Sequence, residues 1–336
     1  MHMADALISP AVGGVMWGVS SGAAAYSVKK IKEIDLEEKK VPLMGVMGAF
    51  VFAAQMINFA IPGTGSSGHI GGGILLAAIL GPFPAFLTLS IVLLIQALFF
   101  ADGGLLALGC NIINLGVIPC FLVYPLVFLP IVRKNHSKLR IAIASVLAVV
   151  IGLQLGAFSV VLQTLASRVT ALPFREFLLL MQPIHLAIGV IEGIITAAVL
   201  VFIHQTQPEI MQKVAVEQRK SPVSLKVIMM VFLILTVFTG GYLSLRASGD
   251  PDGLEWAIER VAGVPELESA GNAHQRSAGL QDSLAFLPDY DYPEETGASR
   301  INGTTFSGLV GSLIVFLTAG ISGFIISRVK RARQEQ

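Results

Sequence analysis

Residues 141–166, IAIASVLAVVIGLQLGAFSVVLQTLA, contain no Asp, Glu, Lys, Arg or Pro. At about 1.5 Å of helical rise per residue such a run crosses a hydrocarbon core about 30 Å thick. Comparable apolar stretches lie at 11–28, 41–59, 71–101, 105–131, 183–203, 227–245 and 306–327. With 71–101 read as a broken pair, they give about nine hydrophobic spans. The 336 residues are 54% hydrophobic and 13% charged, and the mean hydropathy is +0.74. These values predict an all-α polytopic membrane protein.

A net charge of +1, with its basic residues in short inter-span loops, excludes a nucleic-acid partner. There is no GxxxxGK[ST] phosphate loop and no GxSxG or HExxH motif, so the chain is expected neither to hydrolyse ATP nor to act as an enzyme. Cys110 and Cys120 fall in apolar sequence without a CxxC spacing and read as small buried hydrophobes.

Seventeen of the 23 basic residues form four clusters: Lys29, Lys30, Lys32, Lys39 and Lys40; Arg133, Lys134, Lys138 and Arg140; Lys213, Arg219, Lys220 and Lys226; and Arg328, Lys330, Arg331 and Arg333. The positive-inside rule places all four in the cytoplasm of a prokaryotic cell with the chain in its inner membrane. The N-terminus and the uncharged loop 61–69 then share the extracytoplasmic side, and the C-terminus is cytoplasmic. Parity requires one segment within 71–131 to be split, and Gly81-Pro82-Phe83-Pro84 is where prolines end a helix. Residues 246–305 hold eleven acids against four basic residues and read as an extracytoplasmic, solvated loop. The expected organisation is a membrane bundle over 1–205, a cytoplasmic linker over 206–224, and a two-span module over 225–336. The N-terminus lacks a basic n-region, so Met1 is expected to remain in the chain.

Six histidines are available. His136, His204 and His274 read as solvated or interfacial. His185 opens a span with Glu192 seven residues on, on the same helical face, which suits either packing or ligation. His2 is distinctive because of its position. The α-amine of Met1, the amide of His2 and its Nδ1 close two chelate rings in one plane, and a fourth nitrogen completes the square planar set that suits Ni(II) or Cu(II). His69 is the natural fourth donor, following GTGSSG and preceding GGG on the same side. Binding requires deprotonated donors, so affinity is expected to fall with pH. Asp5 and Ser9 lie close enough in sequence to hydrogen-bond a ligating imidazole. Asp102 reads as the same kind of partner or as a helix N-cap. Asn111 and Asn114, at i and i+3, read as interhelical hydrogen-bonding residues.

MHMADALISP at the start, PGTGSSGHIGGGILLAAILGP around His69 and ALFFADGGLLALGCNIINLG beyond it resemble the CbiM/NikM family. Those proteins are the substrate-capture components of energy-coupling factor (ECF) transporters for cobalt and nickel. The resemblance covers about 1–205, and the tail beginning DPDGLEWAIE is similar to the small N component, fused here. It implies a six-helix capture bundle preceded by one extra N-terminal helix, with the metal held by Met1, His2 and His69. It also implies a transmembrane coupling (T) subunit and cytoplasmic ATPase subunits as partners, an N module that assists metal loading, and no cofactor besides the transported Ni2+ or Co2+. The nickel branch is the closer match. An autonomous secondary metal transporter and a metal-dependent membrane enzyme or assembly factor are the competing readings. The first calls for carboxylates repeated along several spans, where only Glu192 lies well inside one; the second calls for a paired-acid motif in the acidic loop.

Overall fold

The computed structural model describes residues 2–34, 40–133, 137–211, 223–265, 267, 271–292 and 302–334. Met1, His136, Lys39, Lys134, Lys213, Arg219 and Lys220 lie outside the described residues. A single turn at Asp5–Leu7 leads into α1 (Pro10–Ile34) and α2 (Lys40–Gln55). A two-stranded antiparallel hairpin follows, β1 (Phe59–Ile61) and β2 (Ser66–Gly68), with Phe59 opposite Gly68 and Ile61 opposite Ser66. Next come α3 (Gly73–Leu80) and α4 (Pro82–Phe100). A continuous rod over Leu108–Arg133 comprises α5 (Leu108–Ile112), a π-helical stretch over Ile113–Phe128 and α6 (Leu129–Arg133). The pair α7 (Lys138–Ser167) and α8 (Phe174–Thr206) is followed by α9 (Leu225–Gly241), α10 (Gly253–Ala262), α11 (Asn272–Leu284) and α12 (Gly303–Gln334).

The rod is wound as a π-helix because Pro119 and Pro125 sit inside it. Each proline lacks an N–H and crowds the carbonyl one turn back, and the wider i to i+5 pattern relieves that conflict. The break expected near residue 81 is present: Gly81 has φ 88° and ψ 163°, and Pro82 opens α4. The eight-residue α3 is only about 12 Å long, so it does not cross a membrane, and all of it is buried.

Five described helices are long and apolar enough to cross a membrane: Pro82–Phe100, Leu108–Arg133, Lys138–Ser167, Phe174–Thr206 and Gly303–Arg328. Lys40–Gln55 and Leu225–Gly241 are apolar but shorter. Of the stretches read as about nine spans, α3 is internal and the glycines and serines of α1 dilute its hydropathy. Large apolar side chains on these helices face outward, Leu126, Leu139 and Leu179 among them. Such a surface is stable against lipid rather than water.

The C-terminal helices are docked on the bundle. A Cβ on Gly45 of α2 would lie 2.7 Å from the Phe316 carbonyl of α12, so the two backbones meet where small residues permit it. Phe232 of α9 packs edge-on against Phe50 of α2, with ring centroids 5.1 Å apart. At Gly311 any added side chain would overlap Phe52 and Phe100. Gly311→Val is therefore expected to cost roughly 1–3 kcal/mol by overpacking, lowering the thermal unfolding midpoint in detergent. Gly14→Ala, with nothing nearby to strike, is expected to leave it unchanged or higher.

Candidate metal-capture site

The N-terminal segment is irregular around a single turn at Asp5–Leu7 and largely buried, with Met3 and Ile8 at 0% exposure and Leu7 at 1%. The turn pairs Leu7 N with Ala4 O and Ile8 N with Asp5 O, and the backbone groups outside it must find partners elsewhere. Asn111 supplies two of them: its Oδ1 accepts from Met3 N at 2.8 Å and its Nδ2 donates to Met3 O at 3.2 Å. Gly104 N also donates to Met3 O, at 2.9 Å. Asp5 Oδ1 accepts from Ala107 N at 3.0 Å, and a Cβ on Gly104 would overlap Asp5. Asn114 is held by a reciprocal pair of hydrogen bonds with Gln163 of α7, at 2.9 and 3.1 Å, and its Nδ2 lies 3.7 Å from Met3 Sδ.

This threading brings His2 to His69. Their rings stack with centroids 5.2 Å apart and planes 14° from parallel. His69 Nδ1 bonds the Ile70 carbonyl at 3.0 Å, which leaves Nε2 as its lone-pair nitrogen. His2 Nδ1 lies 3.2 Å from Asp102 Oδ1, with that side chain 7% exposed. His2 Nε2 is buried without a well-formed hydrogen bond among the described residues, and the side chain of Gln96, whose Oε1 is likewise unpaired, is its polar neighbour. Burial, as the largest cause, holds the His2 imidazole down to about 3 and that of His69 to about 4, so the His2–Asp102 contact is a hydrogen bond from a neutral ring. Asp102 is not an N-cap: it follows the C-terminus of α4 at Phe100, and the next helix begins at Leu108 with Ala107 as its N-cap. Asp5 and Ser9 do not face an imidazole in their hydrogen bonds, which go to the backbone N–H groups of Ala107 and Val12.

The orientation of His2 departs from the chelate read in the sequence. That chelate takes Nδ1, but here Nδ1 is engaged by Asp102 and the nitrogen without a well-formed hydrogen bond is Nε2. Coordination through Nδ1 requires the ring to turn from Asp102, whose other oxygen keeps the Tyr290 hydroxyl as a donor. Among the described residues no three His, Cys, Asp or Glu side chains are grouped to hold a metal ion.

The acidic loop is folded onto this end of the bundle instead of being solvated throughout. His274 of α11 is 4% exposed and its Nε2 bonds the Ile8 carbonyl at 2.9 Å. Gln281 donates to the carbonyls of Ala97 and Gly103, both at 2.8 Å. Ser67 N donates to Pro251 O at 2.8 Å, and Trp256 Nε1 to Thr64 O at 3.0 Å. These bonds dock the loop on the hairpin that precedes His69. They bring Asp252 to a small cavity shared with His69, His185 and Gly71. Asp252 also caps α10: its Oδ1 accepts from Leu254 N and Glu255 N, while Glu255 returns a bond to Asp252 N. The D-x-x-E spacing of Asp252 and Glu255 is a capping-box signature, the signal that would have marked this helix start in the sequence. Nothing in the sequence pairs His274 with residue 8.

The fold and site define a polytopic membrane component that folds its own N-terminal segment back against a histidine loop. The family model described as "Cobalt uptake substrate-specific transmembrane region" matches residues 2–210, and a PDGLE domain model matches 226–328. The chain belongs to this cobalt-uptake family, CbiM. A protein of Archaeoglobus fulgidus, named as a fused nickel transport protein NikMN, is 31% identical over 336 residues, covering 98% of this chain and 99% of the relative. The cobalt transport protein CbiM of Geobacter sulfurreducens is 29% identical over 233 residues, 66% of this chain and 64% of that one. A crystal structure of a transition metal transporter is 32% identical and superposes with a TM-score of 0.53, covering 61% of this chain and 92% of that one. The chain is thus a multi-pass membrane protein of metal uptake, not an enzyme.

Removing the bidentate side chain at residue 111 leaves the buried Met3 N–H without its partner, while Met3 O keeps only the bond from Gly104 N. Asn111→Ala is expected to cost about 1–3 kcal/mol locally and to speed hydrogen exchange at the amides of residues 3–8. Protection unchanged from wild type would mean that Asn111 does not hold the segment.

Proposed function

We propose that this chain captures a divalent transition metal ion, Ni2+ ahead of Co2+, as the substrate-specific subunit of an ATP-driven ECF transporter. The observation that carries the proposal is the stacked pair of imidazoles, the buried side chain of His2 and the half-buried His69, with no well-formed hydrogen bond to His2 Nε2 among the described residues. A buried polar atom without a partner is costly unless a ligand supplies one. The remaining donors of the set are the α-amine of Met1 and the amide of His2, which favour planar nitrogen coordination and hence Ni2+. The NikMN relative's name, read with its full-length match, supports the nickel assignment.

In this reading residues 1–205 form the capture bundle and 225–336 an N-component-like module joined through 206–224. The N-terminus and loop 246–305 are extracytoplasmic and the C-terminus is cytoplasmic, as the basic clusters direct. A T subunit and cytoplasmic ATPases supply the energy that no phosphate loop in this chain provides. The lack of a well-formed hydrogen bond to His2 Nε2 among the described residues favours a second mode of binding, with both imidazoles ligating and the amine absent.

Binding of Ni(II) and Co(II) by the purified protein with its native N-terminus, compared with a variant extended by one residue before Met1, separates these modes. Loss of binding with the fold intact supports the terminal chelate. Unchanged binding that is still lost in His69→Ala points to the imidazole pair, and binding indifferent to both changes contradicts capture here. The pH profile is a further check. Above pH 5 neither imidazole holds a proton to displace, given values near 3 and 4. An ordinary α-amine, with pKa about 8, does. Affinity through the chelate is thus expected to fall about tenfold or more per unit between pH 8 and pH 5, and a flat profile would contradict amine coordination.

A further inference from the structure

Glu192 lies within α8 and is 3% exposed. An ionisable side chain inside a membrane-spanning helix is expensive to maintain. Its Oε1 accepts the backbone N–H of Gly72 at 3.0 Å. Gly72 is the N-cap of α3, has φ +77°, and no side chain caps that helix locally. The carboxylate of one helix therefore stands at the N-terminus of another, where unpaired N–H groups and the positive end of the dipole favour a negative group. A Cβ on Gly71 would lie 3.5 and 3.6 Å from the two carboxylate oxygens, so both oxygens sit over the same turn. From the α2 side, Gln55 Nε2 donates to Gly71 O at 3.0 Å, and Gln96 donates to Gln55 Oε1 at 2.9 Å.

We infer that Glu192 is the positioning residue for His69. By capping α3 across the bundle it fixes the Gly71–Gly72 turn, two and three residues beyond His69, and so fixes where the imidazole points. The inference rests on the proposed role of His69 as a metal donor. Glu192 Oε2 has no hydrogen-bond partner among the described residues. It borders a cavity of about 20 Å³, which Gly71, Asn114, Val149 and Gly152 also line, room for about one water molecule. Val51 and Pro119 pack closely on Gly72 and Gly73, while Gly71 borders the cavity, and the hydrogen bonds from Gly72 N to Glu192 and from Gln55 to Gly71 O add a directional restraint to that packing.

The test is Ni(II) titration of the full chain in detergent, with the visible ligand-field spectrum of the bound ion recorded alongside affinity. Glu192→Ala is expected to weaken binding by about 10–100-fold, the range for partners that orient a metal ligand, and to shift the ligand-field band. Glu192→Gln keeps an oxygen that accepts from Gly72 and is expected to retain the wild-type band and an affinity within a few-fold. Val149→Ala enlarges the same cavity without touching the turn and is expected to leave the band unchanged. Should Glu192→Ala fail to fold, Glu192→Asp, which keeps the charge but withdraws the oxygen by one methylene, carries the same expectation. Wild-type affinity and spectrum in the Ala or Asp variant would overturn the inference, as would an equal loss in Val149→Ala. His69→Ala in the same assay keeps the two levels apart. If it leaves binding intact, the capture-site reading has failed; if it abolishes binding while Glu192→Ala does not, only the role of Glu192 has failed.

Discussion

A short N-terminal segment, irregular but for a single turn at Asp5–Leu7 and buried inside a helical membrane bundle, is the constraint on which the rest of this structure depends. A helix satisfies its own backbone, but an irregular segment does not, and a lipid environment offers no water to finish the accounting. The segment's backbone groups outside the turn find partners across the bundle, Met3 with Asn111 and Gly104 and Ile8 O with His274, while the Asp5 carboxylate holds Ala107 N. Asn111, Gly104 and His274 come from distant parts of the chain, so burying the N-terminus ties the bundle, the 101–107 loop and the C-terminal loop into one arrangement.

That arrangement explains the uneven distribution of polar residues in an otherwise apolar interior. Asn114 and Gln163 pair with each other beneath the N-terminal segment, Gln55 and Gln96 brace the turn after His69, and Glu192 caps α3. Each is buried and hydrogen-bonded. The C-terminal loop completes the enclosure from the other side through Asp252, Gln281 and Tyr290.

The helical membrane class was legible because apolar runs such as 141–166 admit no other solvent, and the break at Gly81-Pro82 because proline cannot continue a helix. His2, His69 and Asp102 were singled out from sequence, and the fold brings the three together. The nitrogen that His2 presents was not legible, since ring orientation is set by Asp102 in space. Nor was the fold of the acidic loop, whose composition reads as solvent-exposed although His274 and Gln281 are buried against backbone carbonyls. Contacts separated by 178 to 266 residues leave no local pattern. The π-helical rod was likewise hidden, because Pro119 and Pro125 in an apolar run signal a disturbance without its geometry.

The most direct measurement of the central claim is X-ray absorption at the nickel edge on the metal-loaded, full-length protein. The account predicts a four-coordinate, nitrogen-only shell with the multiple-scattering signature of two imidazoles, reduced to one when His69 is replaced by Ala. A six-coordinate oxygen shell, or imidazole scattering unaffected by that replacement, would show that the metal lies elsewhere and that the buried N-terminus serves some other purpose.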